Sequence, residues 1–165
     1  MESIMTIYFD LDGVLADFNR GVNELCQRLP IPQDEIDEAE EIELWESIRQ
    51  VGHFYDKLEP IEGSLNLFNE LRSKYNCEIL SAIPKPKRNI KGAAWDKMSW
   101  CERYLGKDIP VNICYSAEKK NFADGNVLID DYQCNIQRWI DAGGIGILFK
   151  NPDQVRQELH NLKIL

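Results

Sequence analysis

Two pairs of carboxylates are the residues of this chain best placed to carry out chemistry. Each pair follows a short apolar run, and the four residues are Asp10, Asp12, Asp130 and Asp131. The runs cover residues 4–9 and 126–129, and their apolar content next to turn residues is typical of buried strands. Because ligands of open α/β sheets bind at the carboxyl ends of strands, the spacing predicts that the four acids meet at one site.

Such a cluster of acids requires a positive partner. Two like charges ~4 Å apart repel each other by roughly 4 kcal/mol at an effective dielectric constant of about 20. A divalent cation removes this repulsion, and a site made only of oxygen atoms suits Mg²⁺. We therefore predict a Mg²⁺ site with Asp10, Asp12, Asp130 and Asp131 as candidate ligands.

The spacing of the first pair allows a division of labour. Asp10 comes directly after the strand and can attack an electrophile, whereas Asp12 can reach a leaving group as a general acid. Gly13 allows the backbone to turn sharply at this point. The alternatives are a strand-end turn with Asp as a cap and a calcium loop, but the further acids of an EF-hand are missing downstream.

Three other polar residues lie near predicted strand ends. Ser81 ends the run 77–81, where its hydroxyl could donate to a phosphoryl oxygen or simply belong to a turn. Lys119 and Lys120 precede the run that leads to Asp130. A lysine near the acids can neutralise phosphate charge, and a solvated surface pair is the alternative.

Apolar runs and helical periodicity alternate along most of the chain. The predicted strands cover residues 4–9, 77–81, 111–115, 127–129 and 145–149. Apolar residues recur three and four positions apart between them, as in Phe18, Val22, Leu25 and Leu29. Alternation of this kind predicts an α/β fold, a three-layer Rossmann-like architecture in which helices cover both faces of a mostly parallel sheet. Pro152 is expected in the first turn of the last helix.

One segment interrupts this alternation. Residues 17–61 contain no strand signal, and residues 33–46 are strongly acidic with helical propensity. A loop of this length inside a compact domain is expected to have structure of its own. We predict a small helical cap over residues 17–61, inserted after the first strand, and a core formed by residues 1–16 and 62–165. Ordinary helical packing against the sheet edge is the alternative.

Composition narrows the class of protein. The 165 residues carry a formal net charge of −9, which argues against nucleic-acid polymers and anionic membranes as partners. Five cysteines occur without a Cys-x-x-Cys pair, and no leader or membrane-spanning run is visible, so we expect a cytoplasmic protein with reduced thiols.

These features together resemble the four motifs of the haloacid-dehalogenase-like (HAD-like) phosphohydrolases. In chain order, the matching residues are Asp10-Leu11-Asp12-Gly13-Val14, Ser81, Lys120 and Ile129-Asp130-Asp131. The finer pattern is similar to the 5′(3′)-deoxyribonucleotidase family. It rests on residues 12–18, the cap-to-core return 54–63, the Lys-x-x-Trp helix at 97–100 and residues 128–131.

The resemblance implies a role for each matching residue. Asp10 would be the nucleophile that forms an aspartyl phosphate, and Asp12 would protonate the leaving oxygen and later deprotonate water. Mg²⁺ would be held by Asp10, the carbonyl of Asp12 and the second acidic pair, with Asp131 as the direct ligand. Lys120, ten residues before Asp130, matches the family lysine, and Lys119 is one residue off.

The resemblance also points to substrate contacts. Phe18 would lie against the base, with Trp45 and Phe54 as further stacking candidates or as packing residues of the cap. One hydroxyl of the family's second motif is missing, because Ala82 follows Ser81. Lys85 begins a basic run, 85–88, that adds cations beside the site and could contact a second phosphate or remain solvated.

The predicted function is a Mg²⁺-dependent phosphomonoesterase acting on small (deoxy)nucleoside monophosphates. A phosphatase of another small ester, such as a sugar phosphate, is the first alternative. A phospho-receiver module is the second, although the order of the acidic motifs is the reverse of its arrangement. The tryptophans and the acidic cap are compatible with a homodimer.

Overall fold

A five-stranded parallel sheet forms the centre of the computed structural model, which describes residues 5–165. The strands are β1 (Thr6–Phe9), β2 (Asn76–Ala82), β3 (Val111–Cys114), β4 (Val127–Asp130) and β5 (Ile145–Leu148). Their spatial order is β3-β2-β1-β4-β5, and every neighbouring pair is parallel. All five predicted strands are confirmed within one or two residues at each end; residue 4 of the first prediction lies outside the described residues.

Six α-helices connect or flank the strands in residues 5–165. They are α1 (Phe18–Cys26), α2 (Glu38–Gln50), α3 (Ser64–Arg72), α4 (Ala93–Leu105), α5 (Gln133–Asp141) and α6 (Pro152–Asn161). Three short 3₁₀ helices occupy Phe54–Lys57, Pro86–Arg88 and Ser116–Phe122. Pro152 stands in the first turn of α6, as predicted. No described helix combines the length and the apolar character needed to cross a membrane.

Alternation along the central strand divides the core into two layers. Ile7 and Phe9 belong to one apolar cluster, which contains residues of α3, α4 and α6, whereas Tyr8 belongs to a second cluster with Trp139 of α5. Successive strand side chains point to opposite faces, so both faces of the sheet are covered. This confirms the predicted three-layer α/β architecture.

The register of the central strands brings three chain segments to one edge. Phe9 at the end of β1 pairs with Ile79 of β2 on one side and with Ile129 of β4 on the other. The residues that follow these positions emerge together at the carboxyl edge. This is also where the chain order changes direction, between β1 and β4, which is the usual place of a ligand site in such sheets.

Residues 17–61 form a helical insertion between β1 and α3. The chain leaves and re-enters the core side by side, because the N–H of Asp17 donates to Glu59 O at 2.8 Å and that of Ile61 donates to Leu15 O at 2.8 Å. The insertion contains α1, α2 and the first 3₁₀ helix.

Two details of the insertion differ from prediction. The periodicity that extended to Leu29 is wrong at its end, because Gln27 adopts a left-handed conformation (φ 55°) that ends α1, and Leu29 is 82% exposed. The acidic helix α2 begins at residue 38, whereas the acidic segment predicted to be helical begins at residue 33. Asp37 caps it, since its side chain accepts from the backbone N–H of Glu40.

Candidate active site

The first element of the site is a buried lysine between two acids from neighbouring strands. Lys119 Nζ donates to Asp10 Oδ1 at 2.9 Å and to Asp130 Oδ2 at 2.8 Å. All three residues are buried, and Asp130 is completely enclosed. Burial alone would lower the pKa of Lys119, but the charges of Asp10 and Asp130 raise it above its usual value, so the lysine stays charged.

Asp130 is held by protein donors on both of its oxygens. Its Oδ1 accepts from the N–H of Tyr132 at 2.9 Å, and its Oδ2 accepts from Asn135 at 3.1 Å as well as from Lys119. Asn135 is itself fixed, because Ser116 donates to its Oδ1 at 2.9 Å. The Asp130 carboxylate is therefore fixed in orientation.

Asp131 completes a cluster of three carboxylates with Asp10 and Asp130. One oxygen of each lies within 4.8 Å of the others. The residue as a whole is exposed, but its carboxyl packs against Gly13, where a Cβ atom would overlap it. Burial of the carboxyl and the charges of Asp10 and Asp130 raise the pKa of Asp131 to about 9. Burial and Asp10 likewise raise the pKa of Asp130 to about 6, although Lys119 opposes this.

This cluster fits a divalent cation. Lys119 pairs with two of the three carboxylates, Asp10 and Asp130, so the ionised cluster carries two negative charges in excess. A group of oxygen ligands with this excess suits Mg²⁺. The raised pKa values of Asp130 and Asp131 have the same cause, because binding a proton also reduces the excess negative charge of the cluster.

A second lysine fixes the other predicted acid. Lys97 Nζ, on α4, donates to Asp12 Oδ2 at 2.6 Å, to Ser81 Oγ at 2.9 Å and to the carbonyl of Ala82 at 2.6 Å. It also lies 4.5 Å from the centre of the Tyr55 ring. Asp12 Oδ1 is buried and has no hydrogen-bond partner among residues 5–165. One oxygen of Asp12 is thus held and the other is left for a reacting group.

The Ser81 hydroxyl is already engaged by a protein group. It is completely buried within β2, which continues to Ala82, and its hydroxyl oxygen accepts from Lys97. Its proton remains available for donation. The structure therefore places Ser81 beside Lys97 and Asp12.

The aromatic residues predicted to stack on a base separate into two groups. Phe54 is 2% exposed and packs edge-to-face against Phe18 and Tyr55, which favours the alternative of a packing residue of the cap over a contact with a base. Phe18 is half-buried and begins α1 directly after the site loop. Trp45, on α2, is half-buried and packs against the main core.

The choice of Lys120 as the site lysine is wrong. Lys120 is exposed and lines a surface cavity with Asn121, Arg138 and Asp141, whereas Lys119 points inward to the acids. Both residues belong to the 3₁₀ helix Ser116–Phe122, in which neighbours face different directions. Lys119 replaces Lys120 in the candidate site.

Two site residues were missed at the sequence level. The sequence marks Lys97 only as part of a Lys-x-x-Trp pattern and does not mark Asn135 at all. A lysine on an otherwise apolar helix face indicates a buried functional residue, and Lys97 shares its face with the buried Ala93, Trp100 and Cys101. Asn135 gives no such signal, since asparagine in a first helical turn is common.

Comparison with known proteins assigns the family. Residues 3–161 match the model of the family described as 5′ nucleotidase, deoxy (Pyrimidine), cytosolic type C protein. The chain therefore belongs to this family. Its fold is that of the HAD-like proteins: it superposes on the HAD-type protein YfnB of Bacillus subtilis, solved with bound magnesium, with a TM-score of 0.61 and 13% identity over 98% of this chain and 99% of that one.

Two relatives resemble the chain in sequence. A protein of Vibrio phage KVP40, assigned provisionally as a 5′(3′)-deoxyribonucleotidase, is 30% identical over 132 residues, which is 76% of this chain and 65% of the phage protein. The human mitochondrial 5′(3′)-deoxyribonucleotidase is 26% identical over 151 residues, covering 77% and 62% of the two chains. The chain thus spans less than two thirds of the length of either relative.

Proposed function

We propose that this protein is a Mg²⁺-dependent phosphomonoesterase that dephosphorylates (deoxy)nucleoside monophosphates through an aspartyl phosphate. The observation that carries the proposal is the arrangement of Asp10 and Asp12 at one strand end, each held by its own buried lysine. Family membership and the two nucleotidase relatives support the nucleotide as substrate class.

Asp10 is the proposed nucleophile. Its Oδ1 is engaged by Lys119 and by the N–H of Leu11 at 2.9 Å, which leaves Oδ2 to attack phosphorus. As the new bond forms, the ester P–O bond breaks and Asp12 gives its proton to the leaving oxygen. Asp12 then takes a proton from the water that attacks the aspartyl phosphate, which releases phosphate and restores Asp10.

The two lysines hold and neutralise the reacting groups. Lys97 fixes Asp12 through Oδ2, so the unpartnered Oδ1 is the oxygen that transfers the proton. Lys119 reduces the repulsion between the Asp10 carboxylate and an approaching phosphate dianion. Ser81 orients Lys97 and has a proton left for a phosphoryl oxygen.

Mg²⁺ would be held by Asp10, Asp131 and the backbone carbonyl of Asp12. Bound there, the ion would offset the negative charge that builds up on the transferring phosphoryl group. Asp130, which accepts from three donors, orients Lys119.

Residues 17–61 are the proposed cap over this site. Phe18, the first residue of α1, follows the site loop within a few positions and is partly exposed, so it is our candidate for stacking on a base. Trp45, half-buried on α2, is the second candidate. A small-molecule substrate and a cytoplasmic location remain predictions of the sequence.

Phosphate release from a panel of monophosphates, in Mg²⁺ and in EDTA, tests the proposal. We expect Mg²⁺-dependent release that is highest on a deoxynucleoside monophosphate and lost in Asp10→Asn. Asp108→Asn, which removes an exposed carboxylate elsewhere, is the matched control and should keep full activity.

Two results would contradict parts of the proposal. Release in EDTA, or an active Asp10→Asn protein, would refute the mechanism. If Phe18→Ala leaves KM for nucleotides unchanged while a sugar phosphate is cleaved faster, the substrate class is the alternative phosphate ester.

A further inference from the structure

A basic loop lies directly after the carboxyl end of β2. It covers residues 85–91 and is defined here by Lys85, Lys87, Arg88 and Lys91, with no acidic residue among them. We propose that this basic loop binds a second phosphate group of the substrate, so that a nucleoside bisphosphate is preferred to a monophosphate. This inference rests on the proposed function, since it concerns the substrate of the same site.

The basic loop starts within reach of the reacting groups. The carbonyl of Ala82 accepts from Lys97, the same lysine that holds Asp12. The N–H of Ile83 extends the sheet by donating to Cys114 O at 3.0 Å. Three residues of extended chain span at most about 11 Å, so the backbone of Lys85 lies no further than that from Ala82.

Contacts with the helical insertion hold the basic loop in place. The Arg88 guanidinium is paired with Glu41 of α2 at 2.5 Å, and Arg49 of the same helix donates to the carbonyl of Arg88 at 2.8 Å. A 3₁₀ turn, in which the N–H of Arg88 donates to Lys85 O at 2.9 Å, fixes the backbone. The loop is therefore a positioned element between insertion and core.

The charge of the basic loop is largely uncompensated. Lys85, Lys87 and Lys91 are exposed and form no ion pair within residues 5–165, and Arg88 pairs with the single carboxylate of Glu41. The two site lysines are already engaged by Asp10, Asp12 and Asp130. The three lysines of the loop thus remain available for a further phosphate group, in a chain whose net charge is −9.

The surroundings favour a small ligand over a nucleic-acid strand. The insertion that pins the loop contributes the acidic segment 33–46, and its negative charge would repel a long polyanion. A nucleotide with two separate phosphate groups needs only one local set of cations in addition to the reacting site.

Comparing thymidine 3′,5′-bisphosphate with the 5′- and 3′-monophosphates tests the inference. We expect a higher kcat/KM for the bisphosphate at low ionic strength. Lys85→Gln/Lys87→Gln/Lys91→Gln should lower that value about tenfold or more, as expected when water-exposed charge contacts are lost, and should change the monophosphate value little. Lys74→Gln/Lys107→Gln/Lys163→Gln removes the same charge from exposed positions outside the loop and should leave the preference intact.

Binding gives a second readout that does not depend on turnover. In the Asp10→Asn protein, calorimetry should show tighter binding of the bisphosphate than of the monophosphate, and the loop substitutions should abolish the difference. Equal kcat/KM and equal affinity for both ligands, or equal losses in the loop and control variants, would overturn the inference while the proposed function stands. Absence of Mg²⁺-dependent release from every substrate would instead overturn the proposed function and, with it, this inference.

Discussion

At the scale of single residues, the neighbours Lys119 and Lys120 show what determines a site. Counting backwards from Asp130 favours Lys120, because the count assumes a fixed path between the lysine and the strand. The turn at 124–126 and the 3₁₀ geometry of Ser116–Phe122 alter that path, so that Lys119 faces the acids. Residue type and approximate position could be predicted from sequence, but the choice between adjacent residues required the backbone.

This pair of lysines supplies a matched prediction. Lys119→Met removes the only cation that contacts Asp10 and Asp130 among residues 5–165, and we expect it to abolish most of the phosphate release. In metal-free protein, it should also lower the free energy of unfolding by roughly 3–5 kcal/mol, because buried carboxylates lose their partner. Lys120→Met, which changes an exposed side chain, should alter the free energy by at most about 0.5 kcal/mol.

Urea unfolding and phosphate release measure both variants. The charge imbalance left by Lys119→Met can be absorbed by protonation of Asp130, whose pKa is already raised to about 6 by burial and by Asp10. The destabilisation should therefore be smaller at pH 5 than at pH 8. Equal effects of the two substitutions would show that Lys119 is not the site lysine.

At the scale of elements, the sequence was informative about strands and less so about loops. Apolar runs bounded by turns predicted all five strands, because a parallel sheet buries both faces and leaves a continuous apolar signal. The end of α1 at residue 26 and the start of α2 at residue 38 were missed by several residues, since local backbone conformation at Gln27 and the cap at Asp37 decide them. The contacts of Lys97 depend on how the fold brings α4 close to the end of β2, which no local pattern encodes.

The turn after β1 depends on Gly13 for two separate reasons. Its φ of 83° lies in the left-handed region, and a Cβ atom would overlap the Asp131 carboxylate. We expect Gly13→Ala to lower the free energy of unfolding by more than the roughly 1–2 kcal/mol of backbone strain alone. It should also weaken the stabilisation of the protein by Mg²⁺, because Asp131 must move.

Gly125→Ala separates strain from overlap. Gly125 has a similar φ of 73°, but no atom of its surroundings lies within 4 Å of the place that a Cβ atom would take. Thermal unfolding of both variants, with and without Mg²⁺, is the measurement. If Gly125→Ala reduces the Mg²⁺ effect as much as Gly13→Ala does, contact between Gly13 and Asp131 is not what holds the ligand.

At the scale of the whole molecule, acidic residues outnumber basic ones, and three of the acidic residues form the cluster at the candidate site. The chain carries 28 acidic and 19 basic residues, and the excess includes the three-carboxylate cluster at the ends of β1 and β4. The same negative balance argues against broad binding of polyanions and leaves the basic loop as a local exception. Trp95 on α4 is 75% exposed and could contact a second copy of the chain. The homodimer itself stays a prediction.

The acid cluster predicts how stability depends on pH and metal. Burial and mutual repulsion raise the pKa of Asp130 to about 6 and that of Asp131 to about 9 from a usual value of 3.8. Between the usual pKa of 3.8 and the raised values, the native protein binds more protons than the unfolded chain does. This cluster therefore makes the metal-free protein less stable as pH rises from about 4 to 9. Mg²⁺ competes with those protons, and its binding should strengthen over the same range.

Thermal unfolding at pH 5 and pH 8.5, with MgCl₂ or with NaCl of equal ionic strength, checks this dependence. At 100 times its dissociation constant, Mg²⁺ should stabilise the protein at pH 8.5 by about 2.7 kcal/mol, which raises Tm by roughly 5–10 °C for a chain of this size. The rise should nearly vanish at pH 5, where protons occupy the cluster. Asp131→Asn should remove most of the Mg²⁺ effect at pH 8.5 and also raise the stability of the metal-free protein there, because one repelling charge is gone. A Tm rise that is the same at both pH values, or that survives in Asp131→Asn, would show that the ion binds elsewhere.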